Sequence, residues 1–218
     1  MASVKIIPNS YTNTGSYNFT VSTSNNTYKI SNAYTDADST TYARLTLASS
    51  RNSARTSTMY LEFDKTAVEN IPSGATINSV TANVRYAVNN TTYVTAVSLQ
   101  LAANTTLKGA AETTRSTTSS TSGGTKYSIT PGSWTLNELK NVRLYISATH
   151  NTSTSSGYLY LYGADVTINY TSDQPVTTTP FRVKQNGSWV TPTKILVKNN
   201  GSWVEGTKIL AKSNGTWH

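Results

Sequence analysis

Two acidic residues, Glu62 and Asp64, are the strongest candidates for catalysis in this chain. They stand two positions apart in the alternating segment MYLEFD, so both would lie on one face of a strand. Glycoside hydrolysis instead needs two carboxyl groups on opposite sides of a cleft. The two histidines, His150 and His218, stand in no recognisable arrangement with a serine and an aspartate. We therefore predict that the protein is not an enzyme, and we assign no catalytic residue.

Asp36 and Asp38 are candidates for a metal site. They flank Ala37 and offer hard carboxylate oxygens, which are the ligands that Ca²⁺ prefers. A calcium ion needs roughly six to eight oxygen ligands, however, and the chain has no EF-hand spacing. The alternative is that the two aspartates fix a turn through hydrogen bonds to the backbone. We expect no cofactor other than, at most, a structural calcium ion at these two residues.

Three tyrosines at alternate positions, Tyr158, Tyr160 and Tyr162, are candidates for binding a glycan. If the intervening Leu159 and Leu161 face the core, the three rings line the outer face of one strand. An exposed aromatic platform of this kind can bind a sugar. The alternative is a sheet face that a loop or a neighbouring subunit covers.

A seven-residue pattern repeats three times at the C-terminus, with a spacing of fourteen residues. Its copies are VKQNGSW, VKNNGSW and AKSNGTW. Asn-Gly between alternating residues is a strong hairpin signal, so each copy predicts two short strands joined by a turn. One such hairpin is marginal alone, and we expect the three to pack on each other or on a partner. The residues predicted to serve this docking are Trp189, Trp203, Trp217, Lys184, Lys198 and Lys212.

The positive charge of the chain is concentrated in the same region. The whole chain has a formal net charge of +8, and the six basic residues and one acidic residue from Pro180 onward give +5 there. Such a tail can meet an acidic partner or can protect exposed strand edges as solvated lysines. Nucleic-acid binding would also combine lysines with aromatic rings, but hairpin packing explains the tryptophans more simply, so we do not expect nucleic acid as a partner.

The composition favours strands and bounds the location of the protein. The 218 residues include 14 tyrosines and no cysteine, and only 13% are charged, so the fold must rest on packing without disulfides or thiolate metal sites. The N-terminus has no signal-peptide pattern, and no apolar run reaches the ~20 residues of a membrane span. We expect synthesis in the cytoplasm and no membrane partner.

Alternating segments along the chain predict an antiparallel, jelly-roll-like β-sandwich. The clearest strand follows the turn Pro72-Ser73-Gly74 and runs to Val88, with Val80, Ala82, Val84, Tyr86 and Val88 on one face. We predict a sandwich over residues 1–172, a linker over 173–180 and the repeat tail over 181–218. Smaller features are also predicted: a turn at Asn25-Asn26, a loop over Ala110–Gly124, a buried Trp134, a capping box from Thr135 to Glu138 and a bulge at Gly163.

Several segments together resemble a β-sandwich domain of tailed-bacteriophage structural proteins, similar in style to carbohydrate-binding jelly rolls. They are DADSTTYARL, MYLEFD, IPSGATINSVTANVR, GSWTLNEL and YLYLYGADVTINY, and the VKxNGSW repeats resemble tails of virion proteins from phages of Gram-positive hosts. The resemblance implies a non-enzymatic virion surface component, either a capsid decoration or head fibre, or a tail adhesin. It would be made in the host cytoplasm and present as a homo-oligomer or in several copies beside other virion proteins. The alternative is a carbohydrate-binding module or lectin-like receptor-binding protein that binds host cell-wall glycans.

Overall fold

The computed structural model describes residues 1–24, 27–117 and 123–172, together with short strands between residues 183 and 217. The chain divides into two compact units, Met1–Asp173 and Gln174–His218. Three short helices occur in the described part of the first unit: a 3-10 helix at Ile30–Ala33, α1 at Thr66–Glu69 and α2 at Leu136–Leu139. Its strands, in chain order, are β1 (Ala2–Ile6), β2 (Pro8–Thr14), β3 (Thr20–Val21), β4 (Ala43–Thr46), β5 (Arg55–Phe63), β6 (Ala75–Val88), β7 (Val94–Ala103), β8 (Thr106–Glu112), β9 (Thr125–Ile129), β10 (Val142–His150) and β11 (Tyr158–Ser172).

These strands form two antiparallel sheets that pack as a β-sandwich, as the sequence predicts. One sheet has the order β3-β4-β11-β6-β9, with β1 also paired to β11, and the other has the order β2-β5-β10-β7-β8. From β4 onward the pairs are nested: β4 pairs with β11, β5 with β10, β6 with β9, and β7 with β8. A ribbon of eight strands folded back in this way is a jelly roll.

Strand β6 lies between β11 and β9, and its alternating residues supply one wall of the core. The five predicted core residues of β6, from Val80 to Val88, are all buried. The facing sheet supplies the other wall through buried residues of β10, which are Val142, Leu144, Ile146 and Ala148. Burial of one face of each sheet is the main source of stability, since burying a large aliphatic side chain contributes roughly 1.5–3 kcal/mol.

Three local predictions are confirmed. Trp134 is buried and its indole N–H donates to the carbonyl oxygen of Pro131 at 2.6 Å. The side chain of Thr135 caps α2, and Glu138 completes the capping box. The register of β11 against β6 shifts between Leu161 and Gly163, which is the predicted bulge.

The prediction of a loop from Ala110 to Gly124 was wrong at its start. β8 continues to Glu112 and pairs with β7. An edge strand buries little on its outer side, so Lys108-Gly-Ala-Ala-Glu112 forms a strand without an apolar alternation. Residues 118–122 and the predicted turn at Asn25-Asn26 lie outside the described residues.

The second unit contains three short antiparallel hairpins, one for each sequence repeat. They pair β12 (Val183–Gln185) with β13 (Ser188–Val190), β14 (Leu196–Asn199) with β15 (Ser202–Glu205), and β16 (Lys212–Ser213) with β17 (Thr216–Trp217). The register is the same in each hairpin, because Lys184, Lys198 and Lys212 are the backbone partners of Trp189, Trp203 and Trp217. The Asn-Gly pairs and the predicted linker 173–180 lie outside the described residues. In the described part of the chain, no helix is long and apolar enough to cross a membrane.

Candidate glycan-binding surface

Arginine and tyrosine side chains form a continuous patch on the outer face of the first sheet. Leu45 and Leu159 are fully buried, so the alternate residues of β4 and β11 point away from the core. The antiparallel register places Tyr160 opposite Arg44. We call this surface the tyrosine–arginine patch, and its members are the half-buried residues Tyr28, Tyr42, Arg44, Tyr158 and Tyr160.

Ring contacts connect the members of the patch. The rings of Tyr42 and Tyr160 meet edge to face, with centroids 5.2 Å apart, and those of Tyr158 and Tyr160 are 6.3 Å apart. The guanidinium carbon of Arg44 lies 3.9 Å from the centroid of Tyr28 and 4.9 Å from that of Tyr158. Burial raises the pKa of the Tyr160 hydroxyl. The patch is therefore a set of phenol rings around one cation.

Tyr162 does not belong to the exposed patch, although its ring lies on the same outer face, 5.5 Å from that of Tyr42, so the prediction that it binds a glycan has no support. Its side chain is fully buried. The chain at Gly123-Gly124 covers it, and a Cβ atom on Gly124 would lie 2.6 Å from the Tyr162 ring. Covering by a loop is the alternative that the sequence left open. Tyr158 and Tyr160 remain the only two of the three predicted tyrosines that reach the described surface.

Three members of the patch, Tyr28, Tyr42 and Arg44, were not predicted from the sequence. Tyr42 and Arg44 alternate with Ala43 and Leu45, which is the signal that places both on the outer face. Their position beside Tyr160 depends on the pairing of β4 with β11, which the sequence does not reveal.

Asp36 and Asp38, the two residues predicted to bind calcium, hold a turn beside β11. Asp36 Oδ2 lies 3.0 Å from Lys5 Nζ, and Asp38 Oδ1 lies 2.7 Å from Lys126 Nζ. Asp36 Oδ1 accepts a hydrogen bond from the Asp38 backbone N–H at 3.2 Å, which is the predicted alternative role. The hydrogen bond from Lys5 lowers the pKa of Asp36 and raises that of Lys5.

This donor set does not fit a calcium ion. Two lysine ammonium groups already occupy the carboxylates, and no group of three or more acidic, histidine or cysteine side chains occurs in the described ranges. A calcium ion would need several more oxygen ligands than Asp36 and Asp38 provide. Calcium binding stays a prediction without geometric support.

The turn at Asp36 packs against the bulge of β11. The backbone of Ala164 donates to the Thr35 carbonyl at 3.0 Å. A Cβ atom at Gly163 would lie 2.2 Å from the Asp36 carbonyl oxygen, so only glycine permits this approach. Because this turn leads into β4, it helps to position Tyr42 and Arg44.

The predicted acidic pair has structural partners as well. Glu62 Oε2 accepts from Arg143 Nε at 2.9 Å and lies 3.6 Å from Lys65 Nζ. Asp64 accepts from the backbone N–H and the hydroxyl of Thr66, which lowers its pKa. These bonds favour a structural role for the two carboxylates over a catalytic pair.

Neither of two surface depressions brings carboxylates together. One is lined by polar residues including Ser49, Arg51 and Ser153, and the other holds Asp64 as its single acid. His150 is buried, with its ring nitrogens 2.7 and 2.8 Å from the carbonyl oxygens of Asn151 and Ser155. Both nitrogens are thus engaged by backbone within the following loop, and His218 lies outside the described residues.

Comparison of the chain with known protein families, curated proteins and solved structures finds no match.

Proposed function

We propose that this chain is a non-enzymatic structural protein of a tailed-phage virion, displayed on the particle surface. In this role it is a capsid decoration or head fibre, or a tail adhesin. The resemblance of its strand segments and of its repeats to phage structural proteins supports the virion context. The single observation that carries the proposal is the division into a jelly-roll unit and a unit of three identical-register hairpins.

In this proposal the two units have different roles, which are display and attachment. The jelly roll has a large buried core and stands as a compact unit of its own. A two-stranded hairpin is marginal in water, so repeated hairpins gain stability by lying against a larger surface. The repeat unit therefore attaches the protein to its neighbours in the particle, and the jelly roll is the displayed part.

Removal of the repeat unit tests this division. In the phage that encodes the chain, deletion of Pro180–His218 should leave a folded jelly roll that is absent from purified particles. Circular dichroism of the truncated protein checks its folding, and mass spectrometry of the particles measures incorporation. The matched control is the full-length Tyr160→Ala variant, which should incorporate normally. Normal incorporation of the truncated protein would refute the attachment role.

A second candidate function is glycan binding, as a carbohydrate-binding module or lectin-like receptor-binding protein. The tyrosine–arginine patch favours it, since half-buried rings on an outer sheet face offer stacking surfaces with polar hydroxyl edges. This function is compatible with display on a virion, where the ligand would be a host cell-wall glycan.

A glycan array with matched tyrosine variants tests this candidate. Tyr160→Ala should abolish or strongly weaken binding, because it removes the ring that contacts both Tyr42 and Tyr158. Tyr145→Ala is the control, since Tyr145 lies on the other sheet beside Tyr60. A wild-type protein that binds no glycan, or equal loss in both variants, would refute glycan binding by the patch.

A further inference from the structure

The cation at the centre of the tyrosine–arginine patch lacks an acidic partner. Among the described residues, no ion pair and no side-chain hydrogen bond involves the Arg44 guanidinium. Other cations of the same sheet are engaged: Lys126 pairs with Asp38, and Arg85 donates to backbone carbonyl oxygens.

The Arg44 side chain is half-buried, and its nitrogens are not sealed from solvent. In the described part of the chain, the one buried side-chain nitrogen or oxygen without a hydrogen-bond partner is Nε of Arg55. The guanidinium nitrogens of Arg44 have no protein hydrogen-bond partner in this part of the chain either, and they do not belong to that fully buried set, so each keeps some exposure to solvent. The contact with the Tyr28 and Tyr158 rings engages the guanidinium, while its five N–H donors point outward in its own plane.

A guanidinium held in this way fits an oxyanion with two acceptor oxygens. Arginine binds phosphate and carboxylate groups through two parallel hydrogen bonds, and contact with aromatic rings on either side restricts the orientation of the fork. We propose that the tyrosine–arginine patch binds an anionic glycan and seats a phosphodiester group of the polymer on Arg44. This proposal rests on the second candidate function above and specifies the chemical class of its ligand.

The arrangement of ring and cation favours a phosphodiester-linked polymer over a uronic-acid polymer. The Tyr28 and Tyr158 rings lie against Arg44, and the rings of Tyr160 and Tyr42 lie beside them, so stacking surfaces adjoin the charge. In a phosphodiester-linked glycan the anion lies between consecutive units, whereas a uronic acid carries its carboxylate on the sugar ring itself. The ligand and the patch then share the same alternation of stacking unit and charge.

Single-stranded nucleic acid has a similar alternation, but the patch does not suit it. Proteins that bind single strands line the groove with a series of cations that follow the backbone. Here Arg44 is the single cation of the patch, and the nearby Arg85 is committed to backbone carbonyl oxygens.

Binding of the full-length protein to four probes tests the proposal. The probes are poly(glycerol phosphate) bearing sugar substituents, polygalacturonate, an array of neutral glycans and a single-stranded oligonucleotide, all at about 0.15 M salt to screen general attraction. The variants are Arg44→Gln and the control Arg51→Gln. Arg51 is exposed and lies outside the patch, so both changes remove one positive charge from the chain.

We expect Arg44→Gln to weaken binding of the phosphodiester polymer by about 10-fold, because it removes charge-assisted hydrogen bonds. Arg51→Gln should stay within about twofold of the wild type, since an exposed charge far from the bound anion is screened. Arg44→Lys should fall between the two, because lysine keeps the charge but loses the planar fork. Circular dichroism of each variant separates loss of binding from loss of folding.

The outcomes separate this inference from the candidate function on which it rests. Equal binding of the phosphodiester polymer by both glutamine variants would overturn the role of Arg44, while glycan binding stands if neutral glycans still bind through Tyr160. Stronger, Arg44-dependent binding of polygalacturonate or of the oligonucleotide would overturn the choice of ligand. Absence of binding to all four probes would overturn both the role of Arg44 and glycan binding by the patch.

Discussion

Asp165 is a buried carboxylate that ties three parts of the jelly roll together, and its removal should be costly. Its side chain is 3% exposed. Its Oδ2 accepts from the buried backbone N–H of Ala37 at 3.1 Å, and its Oδ1 accepts from Asn83 Nδ2 at 3.0 Å. Lys5 Nζ lies 3.9 Å away. The perturbation we consider is Asp165→Ala.

The two hydrogen bonds set the magnitude of this prediction. A hydrogen bond to a charged group contributes about 1.5–3 kcal/mol, and a buried donor left without an acceptor costs about 1–3 kcal/mol. The lysine adds little, because its side chain is 44% exposed and water screens the pair. We therefore expect Asp165→Ala to lower the free energy of unfolding by about 3 kcal/mol, with a smaller loss for Asp165→Asn, which keeps one acceptor oxygen.

Urea unfolding followed by circular dichroism measures this change, provided that the dependence of the free energy on urea is the same in all variants. Asp38→Ala is the matched control, since its carboxylate is 66% exposed and its pair with Lys126 should contribute less than about 1 kcal/mol. A loss for Asp165→Ala no greater than that of the control would refute the role we assign to the buried carboxylate.

Two further predictions concern the covering loop and the helix cap. Gly124→Ala would place a methyl group 2.6 Å from the Tyr162 ring and should destabilise the jelly roll by about 1–3 kcal/mol in the same assay; wild-type stability would show that this cover is loose. The pKa of Glu138 is lowered from 4.5 to about 2, first by the hydrogen bond from Lys108 and then by that from the Thr135 backbone. Because the folded-state pKa is depressed, this contribution is present above about pH 4.5 and is lost as the pH falls toward 2. Thermal unfolding of Glu138→Gln should therefore depend less on pH in this window than that of the wild type, and identical pH profiles would contradict the assignment.

The alternation of apolar residues was sufficient to predict the class of fold and most of the core. Val80 to Val88 and Val142 to Ala148 each bury one face, because a period of two matches the pleat of a strand. The jelly-roll order was a further expectation from spacing and turns, and the nested pairing confirms it. Two local features were also predictable from the sequence, because the Thr135 cap and the Gly163 bulge lie where it indicates.

The tyrosine–arginine patch was only partly predictable, because it is assembled from segments far apart in the chain. Alternation placed Tyr158, Tyr160 and Tyr162 on one face, but it could not show that Gly124 lies over Tyr162. In the same way, Arg44 becomes part of the patch only through the register of β4 against β11. Contacts across sheets and loops depend on tertiary packing, which no local pattern encodes.

The most direct test of the proposed function is antibody labelling of the intact phage particles to which the proposal assigns the chain, viewed by electron microscopy. An antibody against the jelly-roll unit should decorate the outside of wild-type particles and should leave particles of the Pro180–His218 deletion unlabelled. The result that would contradict the proposal is a purified particle that neither binds the antibody nor contains the protein by mass spectrometry.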